Sequence, residues 1–371
     1  MTSLQARSQS IDTLRGMTLA LMIVVNMSIS EEKSYAPLLH ARWHGLTLTD
    51  LVFPTFLFVV GAALSFVMEK YQRMGDGAVL RKVLTRTALI FLCGYLLYWF
   101  PFVQWDKPGP WTLIPFENTR ILGVLQRIAL SYGLAALIIH FANARFVVAF
   151  CGVALLGYWG IMVAWGDFTL EGNAAIRLDK WLLGDTHLYK GEGIPFDPEG
   201  LLGTLPSIVN VIAGYLAGHF LRSRGANYEV VSKLLMVGLI AVTVALAWSA
   251  VFPINKKLWT SSYVLCAVGV DLCVLALLVY LIDIAGVRRW TPFFEIFGKN
   301  TLFIYLFSEV LSSVFWIAKV GDIALFDWLY LHGFQWWAGD KPGSLVFAVV
   351  FMLACWAVGY AMDRKRIYIK L

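Results

Sequence analysis

The stretch Thr47-Leu48-Thr49-Asp50-Leu51-Val52-Phe53-Pro54-Thr55-Phe56-Leu57-Phe58-Val59-Val60-Gly61-Ala62-Ala63-Leu64-Ser65-Phe66-Val67-Met68 decides the fold. From Leu51 onward it holds no ionisable side chain. A membrane-crossing helix needs about 20 mostly apolar residues, and this run supplies them. Similar runs recur on both sides of it. We read about ten spans, near residues 12–30, 47–68, 84–104, 121–141, 146–165, 203–221, 231–252, 260–284, 298–318 and 343–362. The fold class expected is therefore all-α, a polytopic membrane protein. Residues 1–371 read as one transmembrane unit, with no internal repeat and no low-complexity tract.

Composition agrees. Hydrophobic residues make up 59% of the chain and charged residues 15%, whereas soluble domains carry about 45–50% and about 25%. Mean hydropathy is +0.70. The 15 Trp suit aromatic belts at membrane–water interfaces. The five cysteines (Cys93, Cys151, Cys266, Cys273 and Cys355) lie in apolar runs without a C-x-x-C pair, as packing residues do. The net charge of +6 gives no sign of nucleic-acid binding. What matters is where the charge falls.

Lys and Arg concentrate in cytoplasmic loops. Lys70, Arg73, Arg81, Lys82 and Arg86 follow the second span, and Arg222, Arg224 and Lys233 follow the sixth. Arg288, Arg289 and Lys299 follow the eighth, and Arg364, Lys365, Arg366 and Lys370 close the chain. This alternation predicts that both termini are cytoplasmic. The first span follows Arg7 without a small-residue cleavage site, which predicts an uncleaved anchor. The opposite loops are poorer in base. The longest, 166–202, holds the apolar Trp181-Leu182-Leu183-Gly184 and then a Gly/Pro turn region. Loops of that length are usually functional.

Ionisable residues inside spans are costly and face a partner or a cavity. Asp12, Arg15, Asp50, Arg127, Asp271 and Glu309 are such residues, and Asn26 and Asn210 add amides. Two readings stand for each. Asp12 and Arg15 either anchor the first helix or line a site. Asp271 and Glu309 either glue helices or bind a ligand. Asp197-Pro198-Glu199-Gly200 reads as a helix start, although a cap can also be a ligand. His40 and His44 are four apart and would share a helix face. The Glu of an H-E-x-x-H zinc site is missing, and so is an obvious third ligand, so no metal is expected. Either the pair is interfacial, or one of them does acid–base work, for which a pKa near neutrality suits histidine.

Several longer motifs sit around these residues: Ser10-Ile11-Asp12-Thr13-Leu14-Arg15-Gly16, His40-Ala41-Arg42-Trp43-His44-Gly45-Leu46-Thr47, Gly123-Val124-Leu125-Gln126-Arg127, Leu183-Gly184-Asp185-Thr186-His187-Leu188-Tyr189, Phe196-Asp197-Pro198-Glu199-Gly200-Leu201-Leu202-Gly203-Thr204 and Asn255-Lys256-Lys257-Leu258-Trp259-Thr260-Ser261-Ser262-Tyr263. Together, and in this order, they resemble the heparan-α-glucosaminide N-acetyltransferase family, from about residue 8 to the end of the chain. The opening motif is also similar to the wider membrane acyltransferase superfamily. The chain looks like a bacterial version without the lysosomal enzyme's extra lumenal portion, which implies a multi-pass protein of the bacterial inner membrane.

The resemblance implies transfer of acetyl from cytoplasmic acetyl-CoA, a co-substrate, to the amine of a glucosamine-type sugar outside. It places the active-site histidine at His40 and the active-site asparagine at Asn26. It also implies a small-molecule amino-sugar partner and points to a homodimer. Asp50 would orient His40, or else pair with Arg15 or Arg127. Arg15, Arg81, Lys82, Arg127, Arg222 and Lys233 are the candidates for binding the donor. Trp43, His187, Asp197, Glu199, Trp259, Tyr263 and Glu309 are the candidates at the acceptor side, with Trp105 a further aromatic there. Two positions depart from the lysosomal pattern. His44 replaces an Asn, and Ser308 replaces a His, which bears on the identity of the acceptor sugar. The rival reading is an amino-sugar permease, which ten helices with polar residues at mid-depth would also suit; a non-enzymatic scaffold is the third.

Overall fold

The computed structural model describes residues 8–104 and 112–369. Arg7, Trp105 and Lys370, named above, lie outside the described residues. Helix α1 spans Gln9–Asn26, α2 Leu48–Gln72, α3 Asp76–Trp99, α4 Val124–Phe141 and α5 Ala144–Ala164. After these come α6 Ala174–Leu183, α7 Thr204–Arg224, α8 Tyr228–Trp248 and α9 Ser261–Leu278, which runs on as a π-turn over Val279–Ile284. The chain ends with α10 Thr291–Lys299, α11 Thr301–Ile317, the short α12 Leu325–Tyr330 and α13 Trp336–Ala338, and α14 Asp340–Arg364. Two tiny antiparallel hairpins, 103–104 with 112–113 and 319–320 with 323–324, are the strands among the described residues.

Each expected span coincides with a helix. Seven helices are long and apolar enough to cross a membrane: α2, α4, α5, α7, α8, α14, and α9 with its π-turn. The pair α10–α11 makes an eighth if counted as one span bent by 83°. The chain is thus an all-α, polytopic membrane protein. The remaining two expected spans fall on α1 and α3, which carry charges in their first turns.

The order of packing follows composition. Glycines let α2 and α7 cross in backbone contact: a Cβ on Gly61 would run into Val211, and one on Gly214 into Phe58. Gly238 and Gly269 bring α8 and α9 together in the same way. By contrast, α5, α8 and α14 bury only 28% of their apolar windows, and α8 turns Met236, Val237, Leu239, Ile240 and Val244 outward, as a lipid-facing helix does. Exposed Trp165, Trp181, Trp316, Trp336 and Trp337 ring one end of the bundle.

Helix α2 shows how local chemistry sets the architecture. Thr47 and Asp50 form a reciprocal capping box at its start. Pro54 lies inside the helix and has no N–H to give the carbonyl four residues back. That carbonyl belongs to Asp50, and the Tyr263 hydroxyl donates to it at 2.6 Å. A side chain of α9 thus supplies the bond that the proline removes, and this docks the two helix starts together.

Candidate active site

The capping box that starts α2 also builds the first half of the site. Asp50 is 1% exposed, and its Oδ2 accepts from Thr47 N, Thr47 Oγ1 and Ala41 N at 3.0–3.1 Å. Its Oδ1 lies 2.7 Å from His40 Nδ1. A carboxylate can only accept, so Nδ1 carries the proton and Nε2 is left as the basic nitrogen. The half-exposed imidazole stands where α2 begins, at the end of the bundle ringed by Trp. His40 and His44 lie in non-helical chain, so they do not share a helix face. His44 Nδ1 instead accepts from Asn255 Nδ2 at 3.3 Å.

The second half forms where the end of α1 meets the middle of α11. Asn26 Nδ2 donates to Glu309 Oε1 at 2.8 Å. Ser308 turns back and donates to the Tyr305 carbonyl at 2.8 Å.

A third group was missed by the sequence reading. Arg120 sits in a loop otherwise poor in base. Its Nε and Nη2 grip both oxygens of Asp197 at 2.9 and 2.6 Å, and Nη2 also reaches Glu199 at 2.7 Å. The guanidinium is sandwiched between the rings of Tyr98 and Tyr189, each 4.7 Å away. Asp197-Pro198-Glu199-Gly200 is therefore a tight turn and not a helix start. Gly200 N–H donates to Asp197 O at 2.9 Å, α7 begins only at Thr204, and the Asp197 carboxylate takes Arg120 as well as the Glu199 N–H, the latter at 3.0 Å. The signal is a cation in a base-poor outer loop, just ahead of the Gly123–Arg127 motif.

Arg127 is buried beneath this turn. Its Nη2 donates to Gly200 O at 2.7 Å, and its guanidinium lies 4.8 Å over the ring of Trp259. Trp259 donates to Asn210 Oδ1 at 3.1 Å and holds a left-handed φ of +54°. Backbone strain in a bulky residue persists only where its surroundings dictate it. Here Trp259 N–H closes a turn onto Lys256 O, and Asn255 clasps Leu258 N–H and Thr260. That turn presents Lys256, which feels the charges of Glu199 and Asp50 while burial pushes its ammonium pKa down. On the other flank Asp179 accepts from Leu201 N–H at 2.9 Å, and burial pushes it up to about 7. His187 donates to Thr119 O at 2.8 Å and braces the Arg120 segment; Trp43 donates to Phe168 O at 2.7 Å beside a 430 Å³ cleft lined also by His44 and Glu192.

A larger cavity, of about 1080 Å³, enters from the opposite end of the bundle. Arg15, Arg73, Arg86, Arg222 and Lys299 line its mouth, and Met22, Phe56, Val60, Leu125 and Tyr305 its depth. Met22 is one helical turn, about 6 Å, from Asn26. Tyr305 is one turn from Glu309 on the same face of α11. The cavity thus ends about one helical turn from the Asn26–Glu309 pair. Of the predicted donor residues it takes in Arg15 and Arg222. Arg81, Lys82 and Lys233 are not among its lining residues; Lys82 lies over the Tyr71 ring, and Lys233 pairs with Glu229 at 2.6 Å.

An all-α polytopic bundle with an amphipathic cavity entering one end and a fixed His–Asp pair at the other defines a membrane protein with chemistry built into its span. Residues 7–241 match the profile of "Heparan-alpha-glucosaminide N-acetyltransferase, catalytic", and the chain belongs to that family. It is similar to the human protein named heparan-alpha-glucosaminide N-acetyltransferase, 28% identical over 439 aligned positions that cover 100% of this chain and 61% of the relative. The mouse protein of the same name is 27% identical, covering 98% of this chain and 60% of its own length. The chain therefore spans about three-fifths of the relatives it matches.

Proposed function

We propose that the chain is a transmembrane N-acetyltransferase. It moves acetyl from acetyl-CoA at the basic, cytoplasmic end to the amine of a glucosamine-type sugar at the opposite, periplasmic end of a bacterial inner membrane. The observation that carries this reading is the cavity that runs from a cluster of cations to within about one helical turn of Asn26 and Glu309. Acetyl-CoA has that same polarity, with anionic phosphates at one end and a neutral arm ending in the thioester. Arg15, Arg73, Arg86, Arg222 and Lys299 suit the phosphates, and the Met22–Phe56–Val60 walls suit the arm. Arg81, Lys82 and Lys233 add to the positive field at that end, which is the cytoplasmic end by the positive-inside rule.

The amine arrives as an ammonium, which has no lone pair. Two protons must leave the nitrogen: one ends on the departing CoA sulfur, the other in water. His40 Nε2 is the base, held in the right tautomer by Asp50; the same nitrogen would carry acetyl if transfer runs through the histidine. The Asn26 amide, aimed by Glu309, stabilises the oxyanion that forms as the amine nitrogen bonds to the thioester carbon and before the C–S bond breaks. Glu199 and Glu309 supply carboxylates for the sugar's ammonium and hydroxyls, and Trp43 an aromatic face. His187, Asp197, Trp259, Tyr263 and Arg127 hold these groups in place. The relatives' names support both the reaction and the acceptor class.

The test is acetyl transfer from radiolabelled acetyl-CoA to glucosamine by purified protein, wild type beside His40→Ala. Transfer that disappears in a folded mutant supports the reading. No transfer to any amino sugar, with sugar uptake by reconstituted vesicles instead, would replace it with a permease.

A further inference from the structure

The 83° break between α10 and α11 falls on Asn300. Its side chain grips the last described stretch of the chain at two backbone points. Nδ2 donates to Ile367 O, and Oδ1 accepts from Ile369 N–H, both at 2.9 Å. Asn300 is buried, so water does not compete for these bonds. The neighbouring Lys299 ammonium bonds both oxygens of Asp363 at 2.9 Å, and Tyr368 Oη donates to the same carboxylate at 2.8 Å. The chain can turn back after α14 because Arg366 takes a left-handed φ of +56° and Ile367 N–H donates to Met362 O at 2.9 Å.

The outcome is a strap of chain drawn across the broken helix. It sets Ile369 into the wall of the large cavity, beside Gly298, Lys299 and Thr301. The other walls are helix, whose backbone bonds are internal and whose opening would cost a span. Apart from the turn bonds of Arg366 and Ile367 onto α14, the strap is held by side chains. An apolar residue is thereby fixed at a mouth rich in cations.

We propose that Asn300 is a positioning residue that latches segment 366–369 across the mouth of the cavity. Breaking the two-point latch admits the nucleotide donor and releases the spent thiol nucleotide. This rests on the cavity being the donor site. Arg366 travels with the strap, so phosphates arriving at the mouth draw it closed behind them.

The test is binding of CoA to the full-length protein in detergent, with association and dissociation rates read separately. Wild type is compared with Asn300→Ala and with a chain ended after Lys365, which keeps every helix whole. We expect both rates to rise about tenfold in each variant, the worth of one to two net hydrogen bonds, with the affinity changing much less. A purely structural role would speed dissociation alone and weaken binding; that pattern overturns the latch. Wild-type rates in the chain ended after Lys365 also overturn it, whatever Asn300→Ala does. Failure of the wild type to bind CoA would instead remove the donor-site reading beneath it.

Discussion

His40 and Asp50 are joined by a 2.7 Å hydrogen bond, and the same carboxylate closes the N-terminal cap of α2. One residue therefore fixes both the helix start and the tautomer of the imidazole that stands on it. Asp50→Asn keeps the size and part of the cap, but its amide turns an N–H towards His40 Nδ1 and stabilises the wrong tautomer. We predict a fall in kcat of about 10²–10⁴-fold and a loss of stability of only about 1 kcal/mol. Initial rates beside thermal melts in detergent separate the two effects; a mutant that melts early with kcat intact would refute the assignment.

Arg120 holds Asp197 and Glu199 while stacked between two tyrosines. Removing it strands two buried carboxylates, which costs about 3–5 kcal/mol. Arg120→Met should lower the melting temperature more than any loss in the His40–Asp50 pair. Arg120→Lys should recover little, since an ammonium can neither chelate a carboxylate nor stack between two rings. Full recovery by lysine would mean that charge alone matters there.

The helices were legible because each apolar run announces a span, and the His40, Asp50 and Asn26 motifs pointed to the chemistry. Contacts made at long separation were not. Nothing in the order of residues says that Asn26 meets Glu309, or that Arg120 crosses to Asp197, because loop conformation decides both. The Asp197–Gly200 turn reads as a helix start since Asp followed by Pro is a strong local cap signal; the cap bond to Glu199 N–H does form, but the chain makes only a turn there, with both carboxylates held by Arg120, and the helix starts at Thr204. His40 and His44 carry helical spacing but sit in non-helical, bent chain. Of the cations that line the large cavity, Arg15 and Arg222 are singled out by position in the sequence, whereas Arg73, Arg86 and Lys299 need the shape of the cavity.

Asp179 gives a pH signature. Its carboxyl titrates near 3.8 when solvated and is pushed up to about 7 in the folded chain by burial, with Asp197 nearby. Between these values the folded state holds a proton that the unfolded state has lost. Stability therefore falls as pH rises through this window: the contribution is complete below about 4 and gone above about 7. A gap that wide is worth at most about 4 kcal/mol. Asp179→Asn keeps an oxygen for Leu201 N–H and cannot ionise. The mutant should match wild type in melts at pH 3.5 and exceed it at pH 8. Equal differences at the two pH values would rule the effect out.

The cavity mouth makes opposite predictions for two residues that touch. Arg222 Nη2 donates to Glu69 Oε1 at 2.8 Å, and both line the cavity. A donor phosphate must compete with Glu69 for that guanidinium. Arg222→Gln removes a charged contact and leaves Glu69 facing the phosphates, so KM for acetyl-CoA should rise about tenfold or more with kcat little changed. Glu69→Gln frees Arg222 and removes a repulsion, so KM should fall, by about twofold to fivefold, and more at low salt than at high. Lys233, away from the cavity and paired with Glu229, supplies the control: Lys233→Gln should leave KM within about twofold of wild type, the effect of a screened surface charge. If Lys233→Gln raises KM by the same factor as Arg222→Gln, the donor responds to the net charge of that face and not to the cavity.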